Sequence, residues 1–129
     1  MVGSRAAKTV LVVDDSELAC EAVTHSLSGT GVKVVALNSP FGFIKAIRES
    51  RPCLILLDVG LGSVNGAKLV GLGRRYVPTG CAILLYSGRE PKLLQQDVVQ
   101  SGADGYIAKG TTGAALVAAV ERWIGKTGV

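Results

Sequence analysis

One pattern recurs five times along this chain and limits its fold more than any other feature: a short apolar run of strand length, then a stretch with apolar residues at helical spacing. "TVLVVDD" is followed by "ELACEAVTHSLSGTG", where Leu18, Ala19, Ala22, Val23 and Leu27 predict the buried stripe of a helix and the glycines its end. "VKVVAL" leads through Pro40 into "FGFIKAIRES", with Phe43, Ile44 and Ile47 as the stripe. "CLILLD" precedes "GAKLVGLGRR", "AILLYS" precedes "PKLLQQDVVQSG", and "GYIA" precedes "GAALVAAVERWI" with Leu116, Val117, Val120 and Ile124. Strands that are apolar on both faces, each joined to the next by a helix, require a parallel sheet covered on both sides. Right-handed crossovers leave few topologies, chiefly a doubly wound, five-stranded α/β sandwich with five helices.

A length of 129 residues suits one domain, residues 1–129, with its core at about 8–124. The apolar fraction of 48% and charged fraction of 19% exclude a disordered chain. No apolar run approaches the roughly 18 residues of a membrane span, and "MVGSRAAK" lacks the apolar stretch of a signal peptide, so a cytoplasmic protein without a membrane partner is expected. The net charge of +4 comes from fourteen basic and ten acidic residues dispersed along the chain, and aromatic residues are only 5%; no nucleic-acid surface is predicted. Cys20, Cys53 and Cys81 are odd in number and lack C-x-x-C spacing, which favours buried free thiols over disulfide or metal chemistry. The third helical segment carries Gly71 and Gly73, each costing about 1 kcal/mol against alanine in a helix interior. Either that helix is short and frayed, or backbone packs closely there.

Polar residues punctuate the strand ends. Asp14 and Asp15 end the first strand, Asp58 the third and Ser87 the fourth, and Lys109 follows the fifth. Singly, an Asp or Ser after a strand reads as a helix cap or turn residue. Together they fall at the carboxyl edge of the sheet, where doubly wound folds place their ligands. Three carboxylates in one cleft repel one another unless a cation neutralises them. Oxygen ligands without His or Cys favour a hard ion, magnesium or manganese rather than zinc.

These residues carry a resemblance. Over residues 8–124 the chain resembles the receiver domain of bacterial response regulators, the two-component signalling family, in its chemotaxis-type single-domain form. "LVVDDSE" is similar to the family's acidic pair, "ILLDVGLGSVNG" to its phosphoacceptor segment with Gly66 eight positions after Asp58, "LLYSG" to its hydroxyl followed by a small residue, and "GADGYIAKG" to its aromatic and lysine. The resemblance implies a flavodoxin-like sheet of strand order 2-1-3-4-5 and phosphorylation of Asp58 by a histidine kinase or phosphotransfer protein. It implies Mg²⁺, with Mn²⁺ as the substitute, held by the carboxylates of Asp15 and Asp58, by Asp14 through water, and by the Gly60 carbonyl. Ser87 and Lys109 would engage the phosphoryl oxygens. Tyr106 would be the rotating aromatic that, with Ser87, signals to a face recognised by a downstream protein.

Three positions depart from the family pattern: Gly62 and Gly110 stand where prolines are frequent, and Gly60 offers no side chain. Gly60 and Arg89, two positions after Ser87, would flank the path of a hydrolytic water and tune phosphoryl lifetime. The expected function is a Mg²⁺-dependent switch with intrinsic self-phosphorylation chemistry and slow autodephosphorylation, not a metabolic enzyme. The alternative is a pseudo-receiver, a constitutive interaction module with a vestigial pocket. A haloacid-dehalogenase-type enzyme needs a second Asp where Gly60 stands.

Overall fold

The computed structural model describes residues 8–58 and 66–127. Strands and helices alternate in chain order as β1 Thr9–Val13, α1 Glu17–Leu27, β2 Lys33–Leu37, α2 Phe43–Ser50, β3 Leu54–Leu57, α3 Gly66–Tyr76, β4 Ala82–Ser87, α4 Pro91–Ser101, β5 Gly105–Ala108 and α5 Gly113–Thr127. The five strands form one sheet in the order β2-β1-β3-β4-β5, and every neighbouring pair is parallel. The doubly wound arrangement is the one predicted from the alternation, and its flavodoxin-like strand order is the one the resemblance implies.

The period of two along a strand divides the sheet between two cores. Val10, Val12, Leu54, Leu56, Ala82, Leu84, Tyr86 and Ile107 face α1 and α5, where Cys20, Val23, Leu27, Leu116 and Val120 complete the cluster. Leu11, Val13, Ile55, Leu57, Ile83 and Leu85 face the other way, onto Phe43 and Ile47 of α2 and Leu69 and Val70 of α3. β1, β3 and β4 are buried at every residue, which is why their sequences read as unbroken apolar runs. β2 departs from that expectation: among the described residues it pairs only with β1, and its residues are partly buried or exposed, as an edge strand's must be. Leu18 also departs. It belongs to the predicted stripe of α1 but is 77% exposed, because the inward positions of that helix are Cys20, Val23 and Leu27.

Local chemistry sets the helix ends. Ser16 caps α1 by accepting a hydrogen bond from the Ala19 N–H at 3.2 Å, and Glu17 adds a negative charge to the first turn. Pro91 opens α4, and Gly102 closes it in the left-handed region at φ 81°.

The two glycines of α3 separate cleanly. A Cβ on Gly73 would lie 3.1 Å from Ile83 Cδ1 and 3.3 Å from the Phe43 ring, so backbone packs closely there. Gly71 faces open space, with no atom within 4 Å of such a Cβ. Gly71→Ala is therefore expected to stabilise the protein by about 1 kcal/mol in urea unfolding. Gly73→Ala should give no gain, because the ring and methyl must yield to admit the Cβ. Equal gains from both would show that α3 does not approach β4 as described. A tighter contact occurs at Gly105, where a Cβ would stand 2.6 Å from the Trp123 ring of α5.

Candidate functional site

The site lies at the carboxyl edge, where the ladder runs one residue past each strand. Asp14 N–H donates to Leu37 O at 3.0 Å, Asp58 N–H to Val13 O at 2.9 Å, and Lys109 N–H to Ser87 O at 2.9 Å. Each functional residue thus has its main chain fixed by the sheet while its side chain projects beyond it. The pleat carries Asp14, Asp58 and Lys109 onto the side of Val12, Leu56 and Ile107, that of α1 and α5. By the same rule Ser87 follows Ile83 and Leu85 onto the α2–α4 side, where Tyr106 packs against the second core.

Asp14 is fully buried and held from several directions. Its Oδ1 accepts from Ser16 N–H at 2.9 Å, and its carbonyl accepts from Asn38 Nδ2 at 3.1 Å and from the Cys20 thiol at 3.6 Å. Its Oδ2 accepts no well-directed hydrogen bond among the described residues, and the Lys109 ammonium stands 2.8 Å away as its counter-ion. The same ammonium lies 3.7 Å from Asp58 Oδ1 and 5.8 Å from the centroid of the Tyr86 ring. Burial by itself lowers the pKa of Lys109, but the close Asp14 carboxylate and the charge of Asp58 outweigh burial and raise it. Lys109 is therefore a permanent cation at neutral pH.

Asp14, Asp15 and Asp58 each bring a carboxylate oxygen within 4.8 Å of the others. Asp14 and Asp58 are buried and Asp15 is exposed, so the cluster opens to solvent on one side. Three carboxylates against one ammonium leave an excess of negative charge, and the buried Asp14 Oδ2 retains an open lone pair. That donor set fits a hard divalent cation.

Of the residues singled out from sequence, Asp14, Asp15, Asp58 and Lys109 come together, with Ser87 buried at the end of the neighbouring strand. Tyr106 is half-buried on β5 opposite Leu85, two register pairs from Ser87 and Ala108. Arg89 does not reach into the carboxylate cluster. Its main-chain N–H donates to Ser87 Oγ at 3.1 Å, and its guanidinium pairs with Asp97 of α4 at 2.8 Å. Gly60 and Gly62 lie outside the described residues. Gly110 is exposed with open space around its Cα, and all peptide bonds among the described residues are trans. The thiols are free, and burial raises the pKa of each, that of Cys81 to about 12.

Sequence reading missed Tyr86 and Asn38. Tyr86 is 1% exposed and floors the Lys109 ammonium. Its signal was parity: it lies on the same face as Leu84, one residue before Ser87. Asn38 was legible as the residue directly following β2, the counterpart of Asp14 following β1.

Comparison with known proteins agrees with this geometry. Residues 10–121 match the family model described as "Response regulator receiver domain". The DNA-binding response regulator MtrA of Mycobacterium tuberculosis is 34% identical over 114 residues, covering 86% of this chain and 48% of MtrA. The chain thus spans about half the length of the curated relatives it matches. Among solved structures, the signal receiver domain of NarL from Mycobacterium tuberculosis is 29% identical with a TM-score of 0.76, covering 92% of this chain and 96% of that one. The chemotaxis response regulator CheY4 of Vibrio cholerae shares the fold at 22% identity and a TM-score of 0.76, covering 92% of this chain and 99% of that one. No helix among the described residues is long and apolar enough to cross a membrane.

Proposed function

The chain belongs to the response regulator receiver family of two-component signalling, and from that premise we propose that it is a switch thrown by transfer of a phosphoryl group from a histidine kinase or phosphotransfer protein to Asp58. One observation carries the reading: Asp58 shares a cluster no wider than 4.8 Å with Asp14 and Asp15, and its Oδ1 lies 3.7 Å from the Lys109 ammonium.

An Asp58 oxygen attacks phosphorus, the bond from phosphorus to the donor imidazole nitrogen breaks, and its electron pair returns to the ring, which takes up a proton. Asp58 is nearly buried, at 7% exposure, so the nucleophile is poorly hydrated and is aimed by the ladder bond from its own N–H. Asp15 and Asp58 would hold Mg²⁺ through their carboxylates and Asp14 through water, and the ion would supply cancellation of charge on the phosphoryl oxygens. Lys109 offers a second cation at a fixed place, with the Tyr86 ring beneath it. The Ser87 hydroxyl accepts from Arg89 N–H and keeps its own proton to donate. Ser87 shares a sheet face with Tyr106, so a hydroxyl drawn toward a new anion would vacate space beside that ring and bias the α4–β5–α5 surface offered to a downstream protein.

The test is incubation with phosphoramidate and Mg²⁺ followed by intact mass. Gain of one phosphoryl group is expected, and none when the metal is chelated. An unmodified mass with donor and metal both present would favour a constitutive interaction module instead.

A further inference from the structure

Arg89 and Asp97 form an ion pair that the switch reading does not use. Arg89 lies on the loop from β4 to α4, two residues beyond Ser87, and both of its polar ends are engaged. Its N–H donates to Ser87 Oγ at 3.1 Å, while its Nε meets Asp97 Oδ2 at 2.8 Å, eight residues on along α4. The pair is unequal: the Asp97 side chain is 20% exposed and the Arg89 side chain 49%. Asp97 is thus fixed on the inner flank of α4, beside Val98, which packs against the second core. Arg89 is the movable partner. An ion pair this exposed holds weakly, and a guanidinium prefers the dense, forked charge of a phosphoryl group to a lone carboxylate.

We propose that Asp97 is a positioning residue that withholds Arg89 from phosphorylated Asp58, so that competition between Asp97 and the acyl phosphate for one guanidinium sets how long the phosphoryl group lasts. The proposal rests on the receiver reading above. Hydrolysis sends a water oxygen onto phosphorus and breaks the bond from phosphorus to the Asp58 oxygen. Asp58 leaves as carboxylate, and the water proton passes to phosphate or solvent. Arg89 drawn onto the phosphoryl oxygens crowds the water's approach. Asp97 holding Arg89 on α4 leaves it open. Movement of Arg89 between the two anions also relaxes the tie between the β4–α4 loop and α4, so lifetime and the α4 surface are governed by the same contact.

The experiment follows decay by intact mass after removal of phosphoramidate in the wild type, Asp97→Asn, Arg89→Ala and the double variant. Asp97→Asn is expected to slow decay about threefold, the scale of one exposed ion pair. Arg89→Ala should quicken it, and the double variant should match Arg89→Ala because Asp97 acts only through Arg89. Decay in Asp97→Asn equal to wild type, or a slowing that persists without Arg89, overturns the proposal. A second readout does not depend on turnover. The Arg89 Nε–H resonance, held by Asp97 in the resting protein, should shift when beryllofluoride and Mg²⁺ are added. A resonance that stays in place while the amides around Asp58 shift overturns the proposal while leaving the receiver reading intact. A wild type that takes up neither phosphoryl group nor beryllofluoride overturns both.

Discussion

Asp58→Asn is expected to abolish the gain of a phosphoryl group from phosphoramidate while leaving the fold at least as stable. The two effects have separate causes. An amide oxygen lacks the full negative charge needed to displace the donor nitrogen, so the chemistry loses its nucleophile. The same substitution removes one of three carboxylates gathered within 4.8 Å, and Lys109 keeps its 2.8 Å contact with Asp14. Repulsion falls and no buried charge is stranded, so thermal unfolding without metal should move upward or stay in place. Stabilisation by added Mg²⁺, about 2.7 kcal/mol at a hundredfold excess over its dissociation constant in the wild type, should shrink in the variant. A modified mass in Asp58→Asn at the wild-type rate would move the acceptor to another residue.

Lys109→Ala is expected to damage both properties. Asp14 is fully buried, and its Oδ2 has the ammonium as its charge partner. Removing one member of a buried pair strands the other, at a cost of about 3 kcal/mol. That corresponds to roughly 10 °C in the unfolding midpoint for a chain of this size. Phosphoryl transfer should slow by about a hundredfold, the effect of deleting one preorganised charge at a reacting oxygen. Mg²⁺ should recover much of the stability, because a divalent cation compensates Asp14 in place of the ammonium. It should recover less of the rate, because the ammonium is expected on a different phosphoryl oxygen from the metal. A variant that melts with the wild type in chelator would mean that the ammonium is not what compensates the buried Asp14 carboxylate.

The legible part of this chain was its interior. β1, β3 and β4 are flanked by strands and covered on both faces, so burial demanded apolar residues at every position and left runs such as Leu54, Ile55, Leu56 and Leu57. The acidic edge was legible for a related reason: strands that share a direction bring their carboxyl ends to one place, so Asp14, Asp58 and Lys109 had to meet. What pattern concealed depended on partners distant in sequence. β2 resembles the other runs in composition, yet it is an edge strand. Gly71 and Gly73 are equivalent in propensity, and only Phe43 and Ile83 tell them apart. Arg89 reads as a free cation beside the site until α4 folds back and presents Asp97.

The contact at Gly105 gives the molecule an optical signature. Trp123 is the chain's sole tryptophan, and its ring lies so close to β5 that a Cβ at Gly105 would stand 2.6 Å away. Every photon emitted by an indole in this protein therefore originates at the junction of β5 and α5, one residue from Tyr106 and four from Lys109. Emission wavelength and quenching by iodide report directly on whether that junction is closed, without any label attached to the protein.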